Sequence, residues 1–248
     1  MKLTKILCLV LAVLSLSLCF VACGNDEGKV LKMATNAYFQ PYEYYDANNQ
    51  IVGIDAEIAA AICEYLGYEL EIIDMEFDSI ITSIQEGSCD FGMAGMTVSP
   101  ERLVDVDFTS SYATGVQVVI VKEGSAITSV DDLTDADYKI GVQLGTTGDI
   151  YATDDYGADR VVSYNNGNSA VLALIGGSVD CVILDNEPAK KLVEANPGLK
   201  ILDTSYADED YAICVQKGNS ELLEDLNRAL DALTKDGTID AIVNKYIK

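Results

Sequence analysis

Segments with helical spacing of apolar positions alternate along this chain with short strand-like runs. From Asp55 onward, Ile58, Ala61, Ile62, Tyr65 and Leu66 share one helical face and stop at Gly67. The spacing predicts a helix with Asp55 as its N-cap. A strand follows over 70–73. Asp78 is expected to cap a second helix whose apolar face is Ile80, Ile81 and Ile84, ended by Gly87 and followed by a buried strand over 90–95. Residues 116–121 are rich in valine and read as a further strand. Alternation of this kind indicates an α/β protein.

The pattern repeats itself. Residues 81–95 align without a gap on residues 171–185, an apolar helix leading to a Gly-Ser turn, an aspartate (Asp90, Asp180) and a buried strand. Helix–turn–strand units are common, so a coincidental likeness competes with a true internal duplication. The strands end at Gly95 and Asp185, and open parallel sheets bind ligands beyond such carboxyl ends. Two units of this kind point to two lobes with a small-molecule cleft between them.

Composition narrows the chemistry. The 248 residues carry 16 Lys plus Arg against 40 Asp plus Glu, a net charge of −24, and no histidine. Ser-His-Asp triads, Cys-His dyads and imidazole metal sites are therefore absent. A polyanion without a basic patch gains nothing from a phosphate backbone, so nucleic acid is not expected as a partner. No cofactor or metal is expected either. Lys2 and Lys5 precede an apolar run from Ile6 to Ala22, too short to span a bilayer but suited to a signal peptide. The run ends in Phe20-Val21-Ala22-Cys23-Gly24, which resembles the bacterial lipobox, with Phe20 where leucine is usual. Residues 1–22 are thus expected to leave as a leader, Cys23 to be lipidated, and 23–28 to act as a tether. Ordinary secretory cleavage nearby is the alternative. Cys63, Cys89, Cys181 and Cys214 lie in apolar runs and read as buried thiols.

Four constellations carry candidate chemistry. Ser99 and Pro100 open a short helix, placing Arg102 in its first turn near the Thr97 hydroxyl; an arginine beside free N–H groups suits a carboxylate, although a surface ion pair with Glu101 or Asp105 explains it too. Gly145-Thr146-Thr147 ends a strand at a helix start, as an anion nest or a plain helix cap. Asp185 ends the second repeat's strand. With Pro188 at the first helical position, Glu187 becomes the expected N-cap, which frees Asp185 to meet an ammonium group. Asn36 and Phe39, with Phe77, follow strand ends and could flank an aliphatic ligand, where core packing is the commoner fate of phenylalanine.

Together these residues resemble the polar amino-acid-binding proteins of bacterial ABC importers, solute-binding protein family 3. The likeness rests on Ala34-Thr35-Asn36 with Pro41-Tyr42, on Gly53-Ile54-Asp55, on Asp90 through Gly95 and Thr97 to Arg102, on the Gly141 to Thr147 turn, and on Asp180 to Asp185. It implies the two-lobed type II periplasmic-binding-protein fold, lobe 1 comprising 29–113 and 210–248, lobe 2 comprising 116–207, with two hinge-crossing strands. It also implies that Arg102, Thr97, Thr146 and Thr147 hold the ligand's α-carboxylate, that Asp185 and the Gly95 carbonyl hold its α-ammonium, and that Phe39 and Phe77 flank its side chain. Asn36 stands where many binders of basic amino acids and of glutamine have aspartate. On that residue, a neutral polar side chain such as glutamine or cystine is expected. The implied protein is a monomeric, lipid-anchored, non-enzymatic subunit on the outer face of the cytoplasmic membrane, partnered by a permease. A dehydratase of the cyclohexadienyl type and a ligand-sensing lipoprotein are the alternatives.

Overall fold

The computed structural model describes residues 29–135 and 137–247. The expected leader, tether and Cys23 lie outside the described residues.

Two five-stranded sheets built on one plan organise the fold. In the first, β1 (Val30–Thr35) lies between β5 (Glu69–Asp74) and β6 (Phe91–Gly92), parallel to both. β13 (Cys214–Gln216) then pairs antiparallel with β6 and with β7 (Val106–Phe108), giving the order β5-β1-β6-β13-β7. In the second, β9 (Ile140–Gln143) is parallel to β10 (Val161–Tyr164) and to β11 (Cys181–Asp185). β11 pairs antiparallel with β8 (Ala113–Lys122), which pairs with β12 (Leu199–Tyr211), giving β10-β9-β11-β8-β12. A small sheet of β2 (Tyr38–Phe39), β3 (Glu43–Tyr45) and β4 (Ile51–Val52) rises beside the first.

β8 and β12 are the two strands that pass between the sheets. The far end of β12 is stitched to the loop after β6: Thr97 bridges Tyr211, Val98 N–H donates to the Asp210 carbonyl, and Ala212 N–H donates to the Met96 carbonyl. The protein is therefore two-lobed, with a hinge made of β-ladder.

Helix α1 (Ile54–Leu66) covers the first sheet with Ile58, Ala59 and Ile62 fully buried, and stops where Gly67 turns left-handed at φ 77°. Burial of such a side chain is worth about 1.5–3 kcal/mol, so this face fixes the helix in place. Its N-cap is Gly53, not Asp55. Asp55 sits one residue inside the helix and is buried in tertiary contacts, so its carboxylate serves the cleft rather than the helix end. Asp78 does not cap either: a 3₁₀ turn, Phe77–Ser79, feeds α2 (Ile80–Gln85) with no side-chain cap. The strand expected over 90–95 is paired only at Phe91–Gly92, because the chain turns away toward the cleft at Met93.

The internal repeat is structural. Gly87 and Gly177 both adopt positive φ, at 71° and 79°, at the ends of α2 and of its counterpart, Gly167–Gly176. Asp90 accepts from Lys32 N–H at 2.7 Å and returns its own N–H to the Lys32 carbonyl. Asp180 does the same with Lys139, at 2.8 Å. Each aspartate staples the start of its strand to a neighbour, a job that explains its place in both units. Cys63, Cys89, Cys181 and Cys214 are free and buried. No described helix is long and apolar enough to cross a membrane.

Candidate ligand-binding site

A narrow cavity lies between the two sheets, bounded by the ends of β1, β9 and β11 and by the loop after β6. All nine residues singled out from the sequence as ligand contacts, Asn36, Phe39, Phe77, Gly95, Thr97, Arg102, Thr146, Thr147 and Asp185, line it. Three more line it that the sequence did not single out: Glu43, Ala94 and Gln143.

Arg102 is only 5% exposed, which removes the surface ion pair as its explanation. Ser99 Oγ accepts the Arg102 N–H at 3.3 Å, as a helix cap does, and the side chain turns inward from the short helix Arg102–Asp105. One guanidinium nitrogen donates to the Thr97 carbonyl at 2.9 Å, and the other crosses to the opposite lobe, donating to the Gly145 carbonyl at 3.1 Å. The guanidinium carbon lies 5.3 Å from the Phe77 ring centre. Burial lowers its pKa, yet an arginine stays charged at any ordinary pH.

The Gly145 turn is divided between two tasks. Gly145 takes φ 75°, Thr146 is the N-cap of the helix Thr147–Tyr156, and Thr146 Oγ1 both accepts from Asp149 N–H and donates to the Gln143 carbonyl. Its hydroxyl is committed to the helix end. Thr147 is buried and faces Gln117, whose Nε2 donates to Thr147 Oγ1 at 3.4 Å.

Asp185, 6% exposed, occupies the N-cap position of the helix Asn186–Ala195, so Glu187 is not the cap. Pro188 falls at the third helical position rather than the first, and no side-chain cap forms. Asp185 is held instead by the hinge: Tyr211 O–H donates to Oδ1, and Gln117 Nε2 donates to Oδ2 at 2.8 Å. Burial, opposed by those two donors, pushes its pKa up to about 7.

Asp55 performs a parallel service on the other lobe. Its Oδ2 accepts the Gly95 N–H at 2.8 Å and the Tyr112 O–H at 2.7 Å, which orients the Gly95 peptide at the cavity wall and ties it to the residue preceding β8. Gly95 itself takes φ 52°, and a Cβ there would sit 2.5 Å from Phe39 Cε1. Asn36 donates to the Met75 carbonyl at 2.7 Å and accepts from Gln143 Nε2 at 3.0 Å across the cleft.

The lobes are in contact. Besides Arg102 to Gly145 and Gln143 to Asn36, Asn165 Nδ2 donates to Glu76 Oε1 at 3.2 Å. This is a closed cleft.

Two buried glutamates escaped the sequence reading. Glu43, fully buried on β3, lines the cavity, and neither of its carboxyl oxygens receives a hydrogen bond. Glu209, on β12, faces Thr97, Thr147 and Gln117, and burial raises its pKa. The only signal for Glu43 was its place in the aromatic run Tyr42-Glu43-Tyr44-Tyr45, where an acidic residue between buried and half-buried tyrosines is out of character for a solvated turn. Among the described residues, no group of acidic or sulfur ligands is arranged to hold a metal.

The chain is similar to known proteins along most of its length. A putative ABC transporter arginine-binding protein 2 of Escherichia coli (strain K12) is 35% identical over 89% of this chain and 91% of its own. Solved structures of an ancestral arginine-binding protein, one bound to arginine and one bound to glutamine, superpose with TM-scores of 0.83 at 40% identity. Each covers 88% of this chain, and 98% and 97% respectively of the solved chains are matched. Residues 31–248 match the profile of the bacterial extracellular solute-binding proteins, family 3, and the chain belongs to that family.

Proposed function

We propose that this protein binds an L-amino acid by closing its two lobes on it, delivers it to an ABC importer permease, and favours a cationic, arginine-like side chain. The single observation that carries the side-chain preference is Glu43. A fully buried carboxyl group that lines the cavity and receives no hydrogen bond costs about 1–3 kcal/mol or more, and a guanidinium supplies the donors it lacks. Arginine-binding relatives support the same ligand class.

In this account the α-carboxylate meets Arg102 with the Thr97 and Thr147 hydroxyls, the α-ammonium meets Asp185, and Phe39 and Phe77 flank the aliphatic stem. Arg102 already reaches from one lobe to the other, so a ligand that strengthens this cross-cleft network is bound better by the closed state than by the open one. Micromolar binding needs about −8.2 kcal/mol, which one bidentate ion pair, one ammonium pair and the aromatic contacts supply after the costs of ordering.

The neutral polar side chain expected from Asn36 is the second reading. The amide pair of Asn36 and Gln143 favours it, being suited to a carboxamide. Lipid attachment at Cys23, on the outer face of the membrane, completes the proposal and is tested separately by labelling with a radioactive fatty acid, where Cys23→Ser is expected to abolish incorporation.

The test of ligand class is isothermal titration calorimetry of the purified protein, freed of co-purified ligand by unfolding and refolding, against the common L-amino acids and cystine. Micromolar or tighter binding of arginine ahead of glutamine is expected. A preference for glutamine or cystine selects the second reading. Silence across the panel overturns both and directs attention to other carboxylates, and to the dehydratase alternative.

A further inference from the structure

Resting on the amino-acid reading above, we propose that Glu43 recognises the ligand side chain in two protonation states: as a neutral acid for an uncharged side chain, and as a carboxylate, after losing its proton to solvent, for a guanidinium.

The pattern of satisfied and unsatisfied oxygens favours one site for that proton. Three carboxyl oxygens at the junction of β3 and α1 receive no donor in the structure: Oε1 and Oε2 of Glu43 and Oδ1 of Asp55. The fourth, Asp55 Oδ2, accepts both the Gly95 N–H and the Tyr112 O–H. The two buried carboxyl groups are neighbours that oppose each other's ionisation, and two carboxyl groups bond to each other only through a shared proton. Asp55, with two donors on it, is the better carboxylate. Glu43, with none, is the better acid. One proton on Glu43, shared with Asp55 Oδ1, would satisfy two of the three orphaned atoms. The remaining Glu43 oxygen is left toward the cavity as a lone acceptor.

Among the described residues that line the cavity, no cation is hydrogen-bonded to Glu43. The acidic groups facing Glu43 are Asp55 on α1, Asp185 at the end of β11 and Asp74 at the end of β5; Tyr42 and Tyr112 face it as well. Asp74 is itself occupied, accepting from Ala37 N–H and Tyr45 O–H. The cavity's one cation, Arg102, is bonded to two carbonyls. Burial and these neighbours raise the Glu43 pKa well above the ordinary carboxylate range.

A guanidinium entering the cavity reverses the balance. It brings a positive charge that favours the ionised form, so the Glu43 O–H proton leaves to buffer while the guanidinium keeps all of its own. A ureido or carboxamide side chain brings no charge, and Glu43 keeps its proton while its free oxygen accepts an N–H. Cationic and neutral ligands of one shape thus share the site at the cost of a proton, and their relative affinity depends on pH.

L-arginine and L-citrulline, which differ in charge and scarcely in shape, isolate the effect. Calorimetric titration of each in two buffers of contrasting ionisation enthalpy at pH 6 counts the protons exchanged. Arginine is expected to release at least half a proton more than citrulline, and its affinity relative to citrulline is expected to rise toward tenfold per pH unit below the Glu43 pKa. Glu43→Gln is expected to erase the extra proton and to weaken arginine at least 30-fold relative to citrulline. The same proton count for both ligands, with a pH-independent affinity ratio, overturns the proposal and leaves the amino-acid assignment standing. Binding of neither ligand overturns the assignment itself, and the proposal with it.

Discussion

Replacing Asp185 by asparagine is expected to stabilise the empty protein while disabling it. The carboxyl group is buried at the end of β11 with a pKa pushed up to about 7, against an ordinary aspartate value near 3.9. A group whose folded pKa is raised adds stability in its protonated form at acid pH, and that stability is lost as pH rises through the folded value. Fully ionised above pH 7, the difference corresponds to a burden on the order of 4 kcal/mol on the empty fold. Asparagine mimics the protonated acid. The site accommodates it: Tyr211 O–H still has an oxygen to donate to, and Gln117, whose Oε1 has no partner, can turn to accept from the new amide. For a domain of this size each kcal/mol moves Tm by about 2–4 °C. Differential scanning fluorimetry of the ligand-free protein should therefore show Asp185→Asn melting several degrees above the parent at pH 8, with the gap closing toward pH 4. Calorimetry should show the opposite for binding, since the ammonium loses a charge-assisted partner worth about 1.5–3 kcal/mol, a 10- to 150-fold loss. An Asp185→Asn protein that is no more stable at pH 8, or that binds as tightly as the parent, would refute the assignment of Asp185 as a strained ammonium receptor.

Further expectations follow from the same geometry. In the parent protein, affinity for any amino acid should fall as pH drops below about 7, by up to tenfold per unit, because the proton on Asp185 competes with the ligand ammonium; titrations from pH 5 to 8 check this. Arg102→Ala should weaken binding by about 2–5 kcal/mol, and Arg102→Lys should restore little of it, because a point charge cannot make paired bonds to a carboxylate. Gly95→Ala should cut affinity at least tenfold with a small loss of Tm, since φ 52° and the approach to Phe39 force the loop to shift. Gly115→Ala should act at longer range: its Cβ would fall 2.1 Å from Tyr211 Oη, displacing the hydroxyl that donates to Asp185, so binding should weaken although the residue lies outside the cavity.

The repeat was the most informative feature of the sequence, and the reason is physical. Asp90 and Asp180 each fix a strand start by the same pair of backbone bonds, so the same short residue pattern recurs and the strand ends at Gly95 and Asp185 fall at equivalent places. Arg102 was legible for a different reason, as a cation where a helix start disfavours one. Local capping logic failed at Asp55, Asp78 and Glu187, because it counts only a helix's own ends, whereas Asp55 answers to Gly95 and Tyr112, 40 and 57 residues away. Glu43, marked only by its place in an aromatic run, was missed for the same cause. On a three-residue strand, alternation gives no face, and the burial of Glu43 comes from tertiary packing. The expectation of a neutral ligand rested on Asn36 alone, and the acidic group that bears on it lies seven positions further along.

The central claim is that Arg102 and Glu43 hold opposite ends of one amino acid inside the closed cleft. A crystal structure of the protein with L-arginine tests it most directly. The account predicts the lobes closed, the ligand carboxylate paired with the Arg102 guanidinium, the ammonium on Asp185, and the guanidinium within hydrogen-bond distance of Glu43. Arginine lying in the reverse sense, or its guanidinium meeting no carboxylate while Glu43 stays on Asp55, would contradict it.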